Sequence, residues 1–100
     1  MGKKVTWSRF ALEHLSDIHE YISNTSGSVA IADKVVYTIY SHVSTLSINC
    51  LMYTLDIYKL YNDGSYHAFE VYKYRISYKI LADEIHILAV RHTARNPKQY

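Results

Sequence analysis

Apolar positions along the chain change period, and the changes mark out its elements. Lys3 to Trp7, with Val5, Thr6 and Trp7, predicts a short strand, and Ser8 is placed to N-cap the helix behind it. Ala11, Leu15, Ile18 and Ile22 then recur at four, three and four residues, one helical face, with Phe10 and Tyr21 alongside. Asn24-Thr25-Ser26-Gly27-Ser28 ends that helix: Gly27 suits the left-handed C-terminal position and Ser28 the next N-cap. Ala32, Val36, Ile39, Val43 and Leu46 form a second stripe, from which Asp33, Lys34, Thr38 and Ser41 are excluded. Two helices joined so closely lie antiparallel and bury their stripes against each other and a sheet. Tyr37, Tyr40 and His42 belong either to the rim or to an interface.

After a connection at Ser47 to Met52 the period falls to two. Tyr53 to Tyr61 predicts a strand, Asn62-Asp63-Gly64-Ser65 a hairpin turn, and Tyr66 to Tyr72 the next strand. A turn at Tyr72-Lys73 pairs Val71 with Tyr74, Glu70 with Arg75, Phe69 with Ile76 and His67 with Tyr78. Tyr74 to Pro97 predicts a further hairpin. A two-residue loop at Asp83-Glu84 sets Ala82 by Ile85, Ile80 by Ile87, Tyr78 by Ala89 and Ile76 by Arg91 on one face. On the other face it sets Leu81 by His86, Lys79 by Leu88, Ser77 by Val90 and Arg75 by His92. Both registers put Phe69, Val71, Ile76, Tyr78, Ile80, Ile85, Ile87 and Ala89 on one core face, an agreement between independent segments. The predicted fold is α+β, a single domain over residues 1–100. An N-terminal strand precedes an antiparallel helical hairpin packed on one face of a twisted antiparallel sheet of the C-terminal strands. The opposite face mixes cations such as Lys79 with aliphatics and is expected to accept a segment of another chain, with Leu81, Leu88 and Val90 as anchors; Lys73, Lys79 and Arg91 are the expected charged partner-binding residues.

Composition narrows the function classes. With 49% hydrophobic and 20% charged residues the chain is globular rather than disordered. The lone Cys50 excludes an internal disulfide and suits a reducing cytoplasm, and no apolar run approaches the roughly 20 residues of a membrane span. Net charge is +2, but residues 73–100 hold six cations against Asp83 and Glu84, so this end carries +4 and the remainder −2. That asymmetry fits an anionic partner, nucleic acid or an acidic protein segment, and equally a solvated strand face. Without a Gly-rich phosphate loop, a Cys pair, an HExxH motif or a nucleophile elbow, no cofactor or metal site is expected. The six histidines lack ligand spacing, and His14 and His19, five apart, are expected at the surface. Arg75, His92 and Arg95 form the candidate catalytic cluster. Arginine binds phosphate through two parallel hydrogen bonds and histidine exchanges protons near neutrality, a pairing suited to RNA cleavage by 2′-hydroxyl attack. Glu70 is a possible base for that reaction, but its favoured role is a cross-strand ion pair with Arg75.

The phrases W-S-x-x-A-x-x-x-L from Trp7, YRISYKI from Tyr74 and EIHILAVRHTARNP from Glu84, in the order strand, helical hairpin, antiparallel strands, resemble the RelE/ParE superfamily of bacterial toxins. The resemblance spans nearly the whole chain and is most specific over Phe69 to Pro97. It implies the toxin of a type II toxin–antitoxin module, held inactive in a hetero-oligomer by a cognate antitoxin that wraps a segment around it. RelE-like members cut messenger RNA on the ribosome, whereas ParE-like members poison DNA gyrase. Arg75 matches the arginine of the RelE-like central-strand phrase, while His92 and Arg95 match the ParE-like V-x-H-x-x-R phrase. Tyr100 aligns only loosely with a C-terminal tyrosine of the superfamily. The long opening helices with Trp7-Ser8, and the modest charge, favour the ParE-like side. His67 stands where the resemblance implies arginine, so a weakened or inactive, antitoxin-binding copy is a further alternative.

Overall fold

Ser8 and Ser28 start the two helices as predicted. In the computed structural model, which describes residues 2–94 and 99–100, the Ser8 hydroxyl accepts from the Ala11 amide at 3.1 Å, opening α1 (Arg9–Ser26). Gly27 ends α1 at φ 70°, in the left-handed region, where its amide donates to the Ser23 carbonyl at 3.0 Å. The Ser28 hydroxyl accepts from Ile31 at 3.3 Å and opens α2 (Val29–Asn49), which takes in the first residues of the expected connection. Ala11, Leu15 and Ile18 of α1 and Ala32, Ile39, Val43 and Leu46 of α2 are buried, with Ile22 and Val36 partly so. Phe10 and Tyr21 stay exposed.

The sheet runs β1-β4-β3-β2, from β1 (Lys4–Trp7), β2 (Tyr66–Val71), β3 (Tyr74–Ile80) and β4 (Glu84–His92). The C-terminal strands are antiparallel, and the helical hairpin covers one of their faces, as expected. β1 joins β4 in parallel, Lys4 opposite Glu84 through Trp7 opposite Ile87, which makes the sheet mixed and β4 internal. Where β1 ends, α1 continues the pairing of the β4 edge. Ser8 donates its amide to the Ile87 carbonyl at 2.9 Å and its hydroxyl to the Leu88 carbonyl at 3.0 Å. The Val90 amide donates to His14 Nδ1 at 3.1 Å, so His14 is joined to the sheet rather than free at the surface.

The β2–β3 register is the predicted one, from His67 opposite Tyr78 to Val71 opposite Tyr74. That of β3 and β4 is not. Ile80 pairs with Ile85, Lys79 with His86 and Tyr78 with Ile87, because the turn falls one residue earlier: the Leu81 amide donates to the Glu84 carbonyl at 2.8 Å, which leaves Ala82 and Asp83 between them. Lys3 Nζ helps hold it by donating to the Leu81 and Ala82 carbonyls at 2.8 and 2.7 Å. Leu88 is then an extra residue on β4, a bulge, beyond which Ser77 faces Ala89, Ile76 faces Val90, Arg75 faces Arg91 and Tyr74 faces His92. The bulge reverses the remaining side chains: Val90, expected on the open face, enters the core, and Ala89, expected in the core, joins Leu88 on the open side. The expected strand over Tyr53 to Tyr61 is reduced to one bridge, Leu55 to His67. There the chain turns instead, as the Asp56 carboxylate accepts from the Tyr58 amide at 3.0 Å and the Asp56 carbonyl from the Lys59 amide at 3.2 Å.

Candidate functional site: the groove on the open sheet face

The bulge and the 56–60 turn together shape a groove of about 750 Å³ on the sheet face turned away from most of the helical hairpin. Leu88 and Ala89 from β4 and Phe10 from α1 give it apolar lining, and Tyr58, Tyr66 and Tyr100 line it with aromatic rings. Its polar centre is Arg75. The register places Arg75 directly opposite Arg91, a like-charge pair that by itself opposes strand pairing. Asp56, buried beneath the groove, accepts from Arg75 Nη2 at 3.0 Å, while Glu70 Oε2 lies 3.6 Å from Nη1. The guanidinium also sits over the Tyr58 ring, 4.9 Å from its centroid. Arg75 Nε is buried without a partner among the described residues. Arg91 is exposed and makes no ion pair among them.

Asp56 is the residue on which the site is hung. Burial alone would raise its pKa, but hydrogen bonds from the Tyr100 hydroxyl at 2.5 Å, the Tyr58 amide and Arg75 outweigh that and hold its carboxyl below the ordinary carboxylate value. Tyr100 moves oppositely: burial, then the Asp56 carboxylate, push its phenol well above the usual tyrosine value, so it remains a proton donor. Its backbone is fastened too, through Leu60 N to Tyr100 O at 2.6 Å and Tyr100 N to Tyr58 O at 3.0 Å. Lys59 lies over the Tyr66 and Tyr100 rings at 4.7 and 5.2 Å.

Of the predicted cluster of Arg75, His92 and Arg95, Arg75 and His92 both line the groove. One register step separates His92 from Arg75. It faces Tyr74, its ring edge-on at 5.3 Å, and its Nδ1 accepts from Ala94 at 3.0 Å. Arg95 lies outside the described residues. Among the expected docking residues, Leu88, Val90 and Arg91 line the groove, and Lys79 lies on the same face, 5.0 Å from the Tyr66 ring centroid. Leu81 is in the β3–β4 loop, Val90 also packs into the core, and Lys73 is at the β2–β3 turn beside a separate depression lined by Val35, Tyr72, Tyr74 and His92. His67 is buried against Tyr78, ring centroids 5.6 Å apart, and does not reach the groove. Sequence reasoning overlooked Asp56, although it is the one acid among the aliphatic and tyrosine residues of 51–61, a place where a buried partner is expected. Among the described residues no three His, Cys, Asp or Glu side chains converge as metal ligands would.

A family model for the ParE toxin of the type II toxin–antitoxin system parDE matches residues 5–97. The chain belongs to the ParE toxin family. A solved structure, described as the chromosomal ParDE TA system from P. aeruginosa, shares the fold with a TM-score of 0.72 at 18% identity, covering 90% of this chain and 95% of that one. No significant match is found among curated protein sequences. For this ParE-family toxin the groove is thus an open sheet face whose central arginine is already neutralised by two carboxylates. Among the described residues no helix is long and apolar enough to cross a membrane.

Proposed function

We propose that this chain arrests growth by poisoning DNA gyrase in the cytoplasm, and that a cognate antitoxin neutralises it by laying a segment along the groove. The observation that carries this reading is the state of Arg75. Phosphoryl chemistry on RNA needs a cation free to meet developing charge, with a base and an acid beside it. Arg75 is instead held by Asp56 and Glu70, Glu70 is thereby engaged, and His92 faces Tyr74. Such a centre is suited to fixing the shape of a binding face. The groove offers apolar floor at Leu88 and Ala89 and an uncompensated charge at Arg91, a match for a segment that carries aliphatic and acidic side chains.

Two measurements test it. Purified chain is expected to inhibit gyrase supercoiling and to leave messenger RNA on translating ribosomes intact; ribosome-dependent cuts with normal supercoiling would overturn the gyrase reading in favour of RelE-like cleavage. Arg91→Glu is expected to weaken binding of the antitoxin encoded beside the gene by about tenfold or more, corresponding to at least about 1.4 kcal/mol. Unchanged affinity by titration calorimetry would place the antitoxin elsewhere.

A further inference from the structure

From Val35 to Leu55 the chain contains no Asp, Glu, Lys or Arg, and much of this stretch is the outer side of α2. A solvated helix face normally carries charge. Here Tyr37, Tyr40, Ser44 and Ile48 share one face opposite the buried stripe, and Leu51 follows just past the helix end. Their exposures are 70% for Tyr37, 54% for Tyr40, 82% for Ile48 and 74% for Leu51, so the large apolar side chains of this ridge are uncovered. Tyr40 is held in place by stacking on Trp7, 6.1 Å between centroids with planes 6° apart.

We propose that this ridge is the contact between two copies of the chain, packed α2 against α2 about a two-fold axis at Ser44. The spacing is self-complementary. Tyr40 and Ile48 lie four residues to either side of Ser44, and Tyr37 and Leu51 seven to either side. An antiparallel crossing at Ser44 therefore sets Tyr40 of each copy against Ile48 of the other, and Tyr37 against Leu51. A face without charge meets its own copy without like-charge repulsion. The small residue at the crossing lets the helices approach, and the Ser44 hydroxyl already donates to the Tyr40 carbonyl at 3.0 Å, so burying it leaves no unmet donor. The exposed parts of these four large side chains amount to roughly 500 Å² per copy. Two copies together reach about 1,000 Å², the lower bound of a specific interface, which corresponds to a weak dimer with a dissociation constant on the order of 10 µM. This surface lies on the helical side of the molecule and leaves the groove open, so the dimer is independent of the gyrase and antitoxin reading.

Sedimentation equilibrium over a concentration series tests the proposal. The chain is expected to pass from monomer to dimer with rising concentration. Ile48→Glu, at an exposed position where the fold is unaffected, is expected to abolish the dimer while circular dichroism and melting stay unchanged. Facing helices 8–10 Å apart bring the Ser44 Cα atoms to roughly 3.5–5.5 Å, which overlaps the disulfide range. With Cys50→Ser as background, Ser44→Cys is expected to form a disulfide between copies under mild oxidation, while Asp17→Cys on α1 is not. A chain that stays monomeric at tenfold above the stated constant, a dimer that survives Ile48→Glu, or equal cross-linking at both cysteine positions would each overturn it.

Discussion

Asp56→Ala is expected to destabilise the fold by about 2–4 kcal/mol, because it removes one partner of a desolvated ion pair and leaves the other in place. Arg75 would keep only Glu70, at 3.6 Å and on the solvent side, against the like charge of Arg91 opposite. The Tyr100 hydroxyl and the Tyr58 amide would lose their acceptor in the same step. Urea unfolding monitored by circular dichroism measures the loss, and the corresponding fall in melting temperature is about 10–20 °C for a domain of this size. The same carboxylate imposes a pH dependence. Its folded pKa lies below the ordinary value of 3.8, so its contribution to stability is complete above that value and is lost as the pH falls through the depressed one. Asp56→Asn is expected to flatten this part of the acid limb of the stability curve. An unaltered acid limb would show that Asp56 is not the group responsible.

Ile87→Ala is expected to cost about 3–4 kcal/mol, the loss of a fully enclosed aliphatic side chain with little room for collapse around it. Ile87 is wholly buried on the internal strand, between Trp7 on β1 and Tyr78 on β3. Tyr78 is itself completely buried and tied through its hydroxyl to the Cys50 carbonyl at 2.8 Å, so it is poorly placed to move into the space. Ile87→Val, which removes one methylene, is expected to cost about 1 kcal/mol. Thermal unfolding of both variants gives the ratio, and similar small losses for the two would mean that the core repacks freely.

The helices and the β2–β3 hairpin were legible in the sequence because each is specified locally: a capping serine, a glycine with positive φ, or stripes of period 3.6 and 2. The β3–β4 pairing was not, because a bulge has no composition of its own and nothing around Leu88 announces an extra residue. The consequence was concentrated in the site, since a shift of one residue exchanges the faces of a strand. It brought Arg91 opposite Arg75, turned His92 to Tyr74 and moved Val90 into the core. The partnership of Glu70 with Arg75 was visible because it needs only the adjacent hairpin. That of Asp56 with Arg75 was hidden because it spans 19 residues and a segment whose tyrosines and β-branched residues imitate a strand.

The parallel pairing of β1 with β4 also governs when the molecule can become complete. Contacts between the ends of these elements, such as Ser8 with Leu88, join residues 80 positions apart. The first strand to leave the ribosome therefore waits for the last, and the long loop must close before any of its pairing energy is returned. During synthesis the helical hairpin can form early, while the groove, built on β3 and β4, cannot exist until nearly the whole described chain has emerged. A nascent or truncated chain lacking β4 thus carries no finished groove.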